Sequence, residues 1–137
     1  MLIYLVEDDQ SILELEEYAL QAQGFETQGF GEGGSFFAAC SQRLPDLVIL
    51  DVMLPSEDGF SILKKLRRTP GAETLPAVMV TARTAELDVV KGLDQGADDY
   101  ISKPFGVLEF VSRVKAVLRR ADKAPGHLSF GGIRMDP

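Results

Sequence analysis

Short apolar runs alternate with longer stretches in which apolar residues recur every three or four positions. The runs at 2–6, 25–29, 46–50, 77–80 and 99–101 read as strands. The segments between them read as amphipathic helices. The first puts Ile12, Leu15, Ala19 and Ala22 on one face and stops at Gly24, a residue that readily takes the left-handed conformation that ends helices. The third turns Ile62, Leu63 and Leu66 inward and Lys64, Lys65, Arg67 and Arg68 outward. The last carries Val107, Val111, Val114 and Leu118 and ends in Arg119-Arg120, cations suited to a helix C-terminus.

Strand then helix, about five times over, implies an α/β fold with a parallel sheet covered on both faces. Val48-Ile49-Leu50 and Val78-Met79-Val80 are apolar on both strand faces, as central parallel strands require. Phe25-Glu26-Thr27-Gln28-Gly29 is more polar and suits an edge. The expected architecture is a doubly wound five-stranded sheet of flavodoxin-like order 2-1-3-4-5. This unit should span 1–122, with 123–137 a Pro- and Gly-containing linker and the opening strand of a second unit.

Composition narrows the chemistry. The chain has 137 residues, 45% hydrophobic and 26% charged, which suits one folded domain with a short appendage and argues against disorder. No apolar run approaches the ~18 residues of a membrane span, and the N-terminal run lacks a basic leader. One cysteine, Cys40, rules out an intrachain disulfide and suits a cytoplasmic protein. One histidine, His127, excludes multi-histidine metal sites and argues against a Ser-His-Asp triad. A net charge of −7 argues against this segment gripping DNA by itself. The chemistry must come from carboxylates, hydroxyls and lysine.

In sheets of this type, ligands bind beyond the carboxyl ends of the strands, near the switch in strand order. Glu7, Asp8 and Asp9 follow the first strand, Asp51 ends the third, Thr81 ends the fourth, and Lys103-Pro104 follows the fifth. The expected order makes all four strand ends neighbours. Carboxylates clustered without histidine or thiol suit a hard cation such as Mg²⁺. A carboxylate can also serve as nucleophile for an aspartyl phosphate. Each piece has a plainer reading. The acidic triplet could cap a helix, Asp51 could be an ordinary loop residue, Thr81 could cap the next helix, and Lys103-Pro104 could be a solvated turn. Four strand ends carrying matching groups at one sheet edge favour phosphoryl capture.

Val6-Glu7-Asp8-Asp9, the stretch from Pro45 through Asp51 to Pro55, Asp58-Gly59, Val80-Thr81-Ala82-Arg83, Gly96-Ala97-Asp98-Asp99-Tyr100 and Lys103-Pro104-Phe105 together resemble the response-regulator receiver family of two-component signalling. The match covers about residues 1 to 122. The Gly-Ala-Asp-Asp-Tyr stretch and the tail resemble the OmpR/PhoB class, whose members carry a C-terminal winged-helix DNA-binding domain.

The resemblance implies roles. Asp51 would be the phosphoacceptor. Asp8, Asp51 and the Met53 backbone carbonyl would hold Mg²⁺, with Glu7 acting through water. Thr81, Tyr100 and Lys103 would contact the phosphoryl group or switch with it, and the Lys103–Pro104 bond would be cis. Met53 and Arg83 would flank the site. The donor would be a phosphohistidine on a sensor histidine kinase, and the protein would be a phosphoacceptor switch rather than a conventional enzyme. The surface of the fourth helix, fifth strand and fifth helix would form a symmetric homodimer, with Phe110, Val111, Val114, Val117 and Leu118 as its apolar stripe unless these belong to the core. Asp99 with Arg113 and Asp94 with Lys115 would pair across subunits. Val89 departs from the class, which has a basic residue there to pair with the position of Glu109. Promoter DNA would be bound only through the domain beyond this segment.

Rival classes fare worse. A flavodoxin-like electron carrier needs a phosphate-binding loop after the first strand, where Glu7-Asp8-Asp9 would repel the flavin phosphate. A haloacid-dehalogenase-type phosphatase needs a second aspartate two residues after the nucleophile, where Met53 stands. A phosphate-independent interaction module would not require the complete acidic set and Lys103.

Overall fold

The computed structural model describes residues 1–82 and 85–123. Five apolar runs form β1 (Leu2–Val6), β2 (Glu26–Phe30), β3 (Leu47–Leu50), β4 (Ala77–Thr81) and β5 (Asp99–Ser102). The amphipathic segments form α1 (Gln10–Gln21), α2 (Gly33–Gln42), α3 (Gly59–Arg67), α4 (Glu86–Asp94) and α5 (Val107–Lys123). The strands pair in parallel in the order β2-β1-β3-β4-β5, as expected. Every residue of β1, β3 and β4 is buried, whereas the edge strand β2 alternates. Arg83, expected to flank the site, and the expected linker and tail at 124–137 lie outside the described residues.

Two aspartates fix the register from the far end of the sheet. Asp46, one residue before β3, accepts from the Leu2 amide at 2.7 Å and donates its own amide to the Leu2 carbonyl. Asp98, one residue before β5, does the same with Ala77 on β4, accepting at 2.9 Å. A short side-chain acceptor thus satisfies the first amide of the neighbouring strand, which the ladder would leave unpaired. A slip of one residue would also turn each strand's two faces over.

The sheet separates two cores. Tyr4, Val6, Phe36, Leu50, Phe60, Ile62, Leu66 and Met79 pack on the α2–α3 side. Ile3, Leu5, Leu20, Ile49, Val80, Phe110 and Val114 pack on the α1–α5 side. Three features depart from the sequence expectation. The stripe Phe110, Val111, Val114, Val117 and Leu118 is buried against the sheet, so it is core and not a dimer face. Arg67 turns inward, donating to the carbonyls of Leu75 at 2.7 Å and Gly96 at 2.6 Å, because two loop carbonyls stand there as acceptors. In α1 the buried residues are Leu13, Glu16, Ala19 and Leu20, while Leu15 and Ala22 are exposed. The helix is rotated because Leu13 seats over Gly29 of β2, where any side chain would collide with it.

That rotation carries a carboxyl into the interior. Glu16 is 1% exposed, and neither side-chain oxygen has a hydrogen-bond partner among the described residues. Burial, helped by the charge of Glu7, pushes its pKa up to about 8. The folded chain therefore holds a proton that the unfolded chain releases above about pH 4.5. Its stability should fall as pH rises from about 5 to about 8, by at most about 1.4 kcal/mol per pH unit from this group. Urea unfolding across that range should show the decline, and Glu16→Gln should make it shallower, leaving the part that comes from the raised pKa of Glu7; an equally steep decline in the variant would contradict this assignment.

Candidate functional site

The carboxyl ends of β1, β3, β4 and β5 meet at one edge. β1 and β3 pair up to Val6 and Leu50, so Glu7 and Asp51 leave the sheet side by side. The Asp51 amide donates to the Val6 carbonyl at 3.0 Å, which holds the two exits together. Carboxylate oxygens of Glu7, Asp8 and Asp51 lie within 4.8 Å of one another. Glu7 and Asp51 are buried and Asp8 is exposed. Asp9 is spent elsewhere: it caps α1, accepting from the Ser11 and Ile12 amides. The acidic triplet thus divides between helix capping and the site.

Lys103 completes the arrangement. Its ammonium donates to Glu7 Oε1 at 2.7 Å and to Asp51 Oδ2 at 2.9 Å. The Lys103 amide donates to the Thr81 carbonyl at 2.9 Å, so the lysine and the end of β4 are joined through the backbone. The Lys103–Pro104 peptide is cis. Burial opposes the ammonium, but its bonds to Glu7 and Asp51 outweigh burial and hold its pKa above the ordinary value. Burial also pushes Glu7 up to about 7, with Asp51 adding to the rise and the Lys103 bond resisting it.

The other Asp51 oxygen, Oδ1, accepts from the Met53 amide at 3.1 Å. The loop after Asp51 therefore curls under its own carboxylate, and the Met53 side chain is exposed. Gly59 makes that curl possible. Its amide donates to the Val52 carbonyl at 2.9 Å, and a Cβ there would run into the Asp51 carbonyl. Asp58 caps α3 beside it, accepting from the Ser61 amide at 2.8 Å. Asp58-Gly59 is visible in the sequence as part of the family resemblance; the packing of Gly59 against the Asp51 backbone is not, because that contact depends on where α3 begins.

Thr81 is fully buried at the end of β4. Tyr100 is half-buried in β5, with its ring over Gly92 of α4 and close to Met79; a Cβ at Gly92 would lie 2.9 Å from the ring. Gly92 is a residue the sequence did not single out, and only the helix-to-strand packing exposes its use. On the outer surface, Arg113 donates to Asp99 at 3.0 Å and to Glu109 at 3.1 Å within one chain. Lys115 donates to Gln23 at 2.6 Å, Asp94 is exposed at the end of α4, and no ion pair joins Asp94 to Lys115 within the chain among the described residues. Leu87, Val90 and Leu93 of α4 and Leu108 of α5 are exposed apolar residues of this region, and so is Val107, which the sequence pattern places on the apolar face of the last helix.

The donor set fits a hard divalent cation: three carboxylates, no competing soft ligand, and an exposed member to admit the ion. Gly59→Ala tests the backbone packing beneath it. The added methyl forces the Asp51 loop to move, so stability measured by urea unfolding should fall by about 1–3 kcal/mol; unchanged stability would mean the loop is not held as described.

Residues 3–115 match the response regulator receiver domain family. The chain is 44% identical over 135 residues to the DNA-binding response regulator MtrA of Mycobacterium tuberculosis, covering 98% of this chain and 58% of that protein. It is 46% identical over 119 residues to the phosphate regulon transcriptional regulatory protein PhoB of Rhizobium meliloti, covering 87% of this chain and 52% of that protein. The chain thus spans little more than half the length of these relatives. Among solved structures, the BeF3-activated N-terminal receiver domain of Klebsiella pneumoniae RstA superposes with a TM-score of 0.79 at 28% identity, covering 87% of this chain and 99% of that chain. A Chloroflexus aurantiacus chain assigned as a response regulator gives 0.83 at 36% identity, covering 87% and 98%. The chain belongs to the response-regulator receiver family of two-component systems, and its relatives MtrA and PhoB are OmpR/PhoB-class regulators.

Proposed function

We propose that Asp51 accepts a phosphoryl group from a phosphohistidine on a sensor histidine kinase, and that the resulting charge switches the α4–β5–α5 surface. The observation that carries this reading is the Lys103 ammonium held between Glu7 and Asp51, with Asp8 beside them. An Asp51 oxygen forms the new bond to phosphorus while the bond from phosphorus to the donor's imidazole nitrogen breaks and the imidazole departs. The chain supplies positioning and charge for this step, so its catalysis is confined to its own phosphorylation and dephosphorylation. Asp8, Asp51 and the Met53 carbonyl would hold Mg²⁺, with Glu7 acting through water. The bound cation would screen the carboxylates from the incoming phosphoryl oxygens.

Lys103 can leave Glu7 for a phosphoryl oxygen with little movement, since one ammonium already serves two carboxylates. Thr81 supplies a hydroxyl at the end of β4, and its backbone is tied to that of Lys103. A phosphoryl group adds up to two negative charges and strong acceptor oxygens at one point. It biases the fold only by binding one arrangement of Thr81 and Lys103 better than another. Tyr100, packed over Gly92, would move with Thr81 and carry the change to α4.

The exposed Leu87, Val90, Leu93 and Leu108 support a homodimer through this face, in place of the buried α5 stripe. Asp99 and Arg113 would exchange their intrachain pair for one across subunits, and Asp94 would meet Lys115 there. Each such exposed pair contributes only about 0–1 kcal/mol. Val89 leaves Glu109 without the basic partner usual in the class, and here Arg113 engages it. Residues 1–122 would form the receiver domain and 123–137 a linker and the truncated start of a winged-helix unit that binds promoter DNA. No helix among the described residues is long and apolar enough to cross a membrane, and the lone Cys40 suits a cytoplasmic protein.

Acetyl phosphate with Mg²⁺ should add one phosphoryl group to the chain, read by intact mass, and Asp51→Asn should abolish the addition. Persistent labelling of that variant would mean another residue is the acceptor. Asp8→Ala should weaken Mg²⁺ binding by at least about tenfold, the loss seen even for outer-shell partners of metal sites; unchanged affinity would remove Asp8 from the metal site. Residues 1–137 alone should leave no DNA footprint, and a sequence-specific one would contradict the proposed division of labour.

A further inference from the structure

Helix α4 is held to the body of the domain by little. Gly92 is its only buried residue, and it lies close against the Tyr100 ring and the Met79 sulfur. The residue before the helix, Ala85, has no side-chain group that could cap its first amides. The C-terminal end is different. There Arg67 of α3 donates to the Gly96 carbonyl at 2.6 Å and stands 3.8 Å from the Asp98 carboxylate. A further contact reaches the middle of the helix. The Lys91 ammonium lies 4.7 Å from the centre of the Phe60 ring, although Lys91 itself is exposed. A cation so placed is attracted by the negative face of the ring. Phe60 is buried in α3, in the same core as Met79 and Tyr100. It directly follows Gly59, whose backbone packs on that of Asp51.

We propose, building on the phosphoacceptor reading above, that Lys91 over Phe60 is a latch: it holds α4 in the arrangement in which Lys103 grips Glu7 and Asp51, and it parts when a phosphoryl group on Asp51 drives the switch. Both rings beneath α4 connect to the site. Tyr100 belongs to β5, the strand that leads to Lys103. Phe60 is one residue from the backbone that touches Asp51. A change in the Asp51 loop therefore reaches α4 through Gly59 and Phe60 without passing through Thr81. With the C-terminal end pinned by Arg67, a shift of either ring moves the N-terminal part of α4, where Leu87 and Val90 are exposed. A contact made in one arrangement and lost in the other opposes the switch by its own strength. The latch is weak because the ammonium stays in water, which suits a contact that has to open.

Binding of beryllium fluoride to the whole chain at saturating Mg²⁺, measured by calorimetry, tests the latch. Lys91→Met removes the charge and keeps the stem, and Lys91→Arg keeps a cation to face the ring; both alter an exposed side chain and leave the core intact. Lys91→Met should raise the affinity about two- to fivefold, and Lys91→Arg should leave it unchanged. Loss of a surface cation would by itself weaken the binding of an anion, so a rise reports the latch. In a Phe60→Leu background, Lys91→Met should bring no further rise, because the ring is already gone. The comparison of the two Lys91 variants stands on its own if Phe60→Leu does not fold. Unchanged or lower affinity in Lys91→Met, an equal rise in Lys91→Arg, or the same rise without the ring would overturn the latch while leaving Asp51 as the acceptor. Failure of the unsubstituted chain to bind beryllium fluoride would overturn the phosphoacceptor reading, and the latch with it.

Discussion

Lys103 stands between two buried carboxylates, and the carboxyl edge of the sheet is organised around that contact. Glu7 and Asp51 emerge from adjacent parallel strands, which brings their charges together whether or not a cation is present. Two like charges ~4 Å apart cost about 4 kcal/mol at an effective dielectric of 20. The ammonium offsets this repulsion, yet it comes from a residue roughly fifty positions beyond Asp51 in the chain. Only a sheet with β4 and β5 laid down on the far side of β3 can deliver it. Asp46 and Asp98 at the opposite end matter for the same reason, because the register they set decides which residues reach the edge.

The same contact explains why the edge can respond to a small chemical change. One ammonium shared by two carboxylates, with a third close by, is a charge balance that an added ion or anion readily shifts. The backbone link between Lys103 and Thr81 makes β4 and the loop after β5 feel such a shift together. Tyr100 and Gly92 then offer a close-packed route from β5 to α4, where apolar side chains face outward. The α5 stripe faces the other way, since Phe110 and Val114 are locked into the core.

Strand positions and strand order were readable because period and polarity carry them directly: continuous apolar runs for β3 and β4, a mixed run for β2. The strand-end residues of the site were readable because the topology, once inferred, makes their neighbours predictable. What could not be read was rotation. Leu15 looks like a core residue of α1 and Glu16 a surface one, but the helix turns on where Leu13 finds room over Gly29, a long-range steric fact. Arg67 looks outward because cations near a helix end usually are; the carbonyls of Leu75 and Gly96 draw it in. Gly59 and Gly92 are visible as glycines, whereas their closeness to Asp51 and Tyr100 exists only in three dimensions.

A crystal structure of the chain with Mg²⁺ and beryllium fluoride tests the central claim most directly. The ion should lie on Asp8, Asp51 and the Met53 carbonyl, with the fluoride group on Asp51 touched by the Lys103 ammonium and the Thr81 hydroxyl. Fluoride bound at another carboxylate, or Lys103 still holding Glu7 and turned away from Asp51, would contradict it.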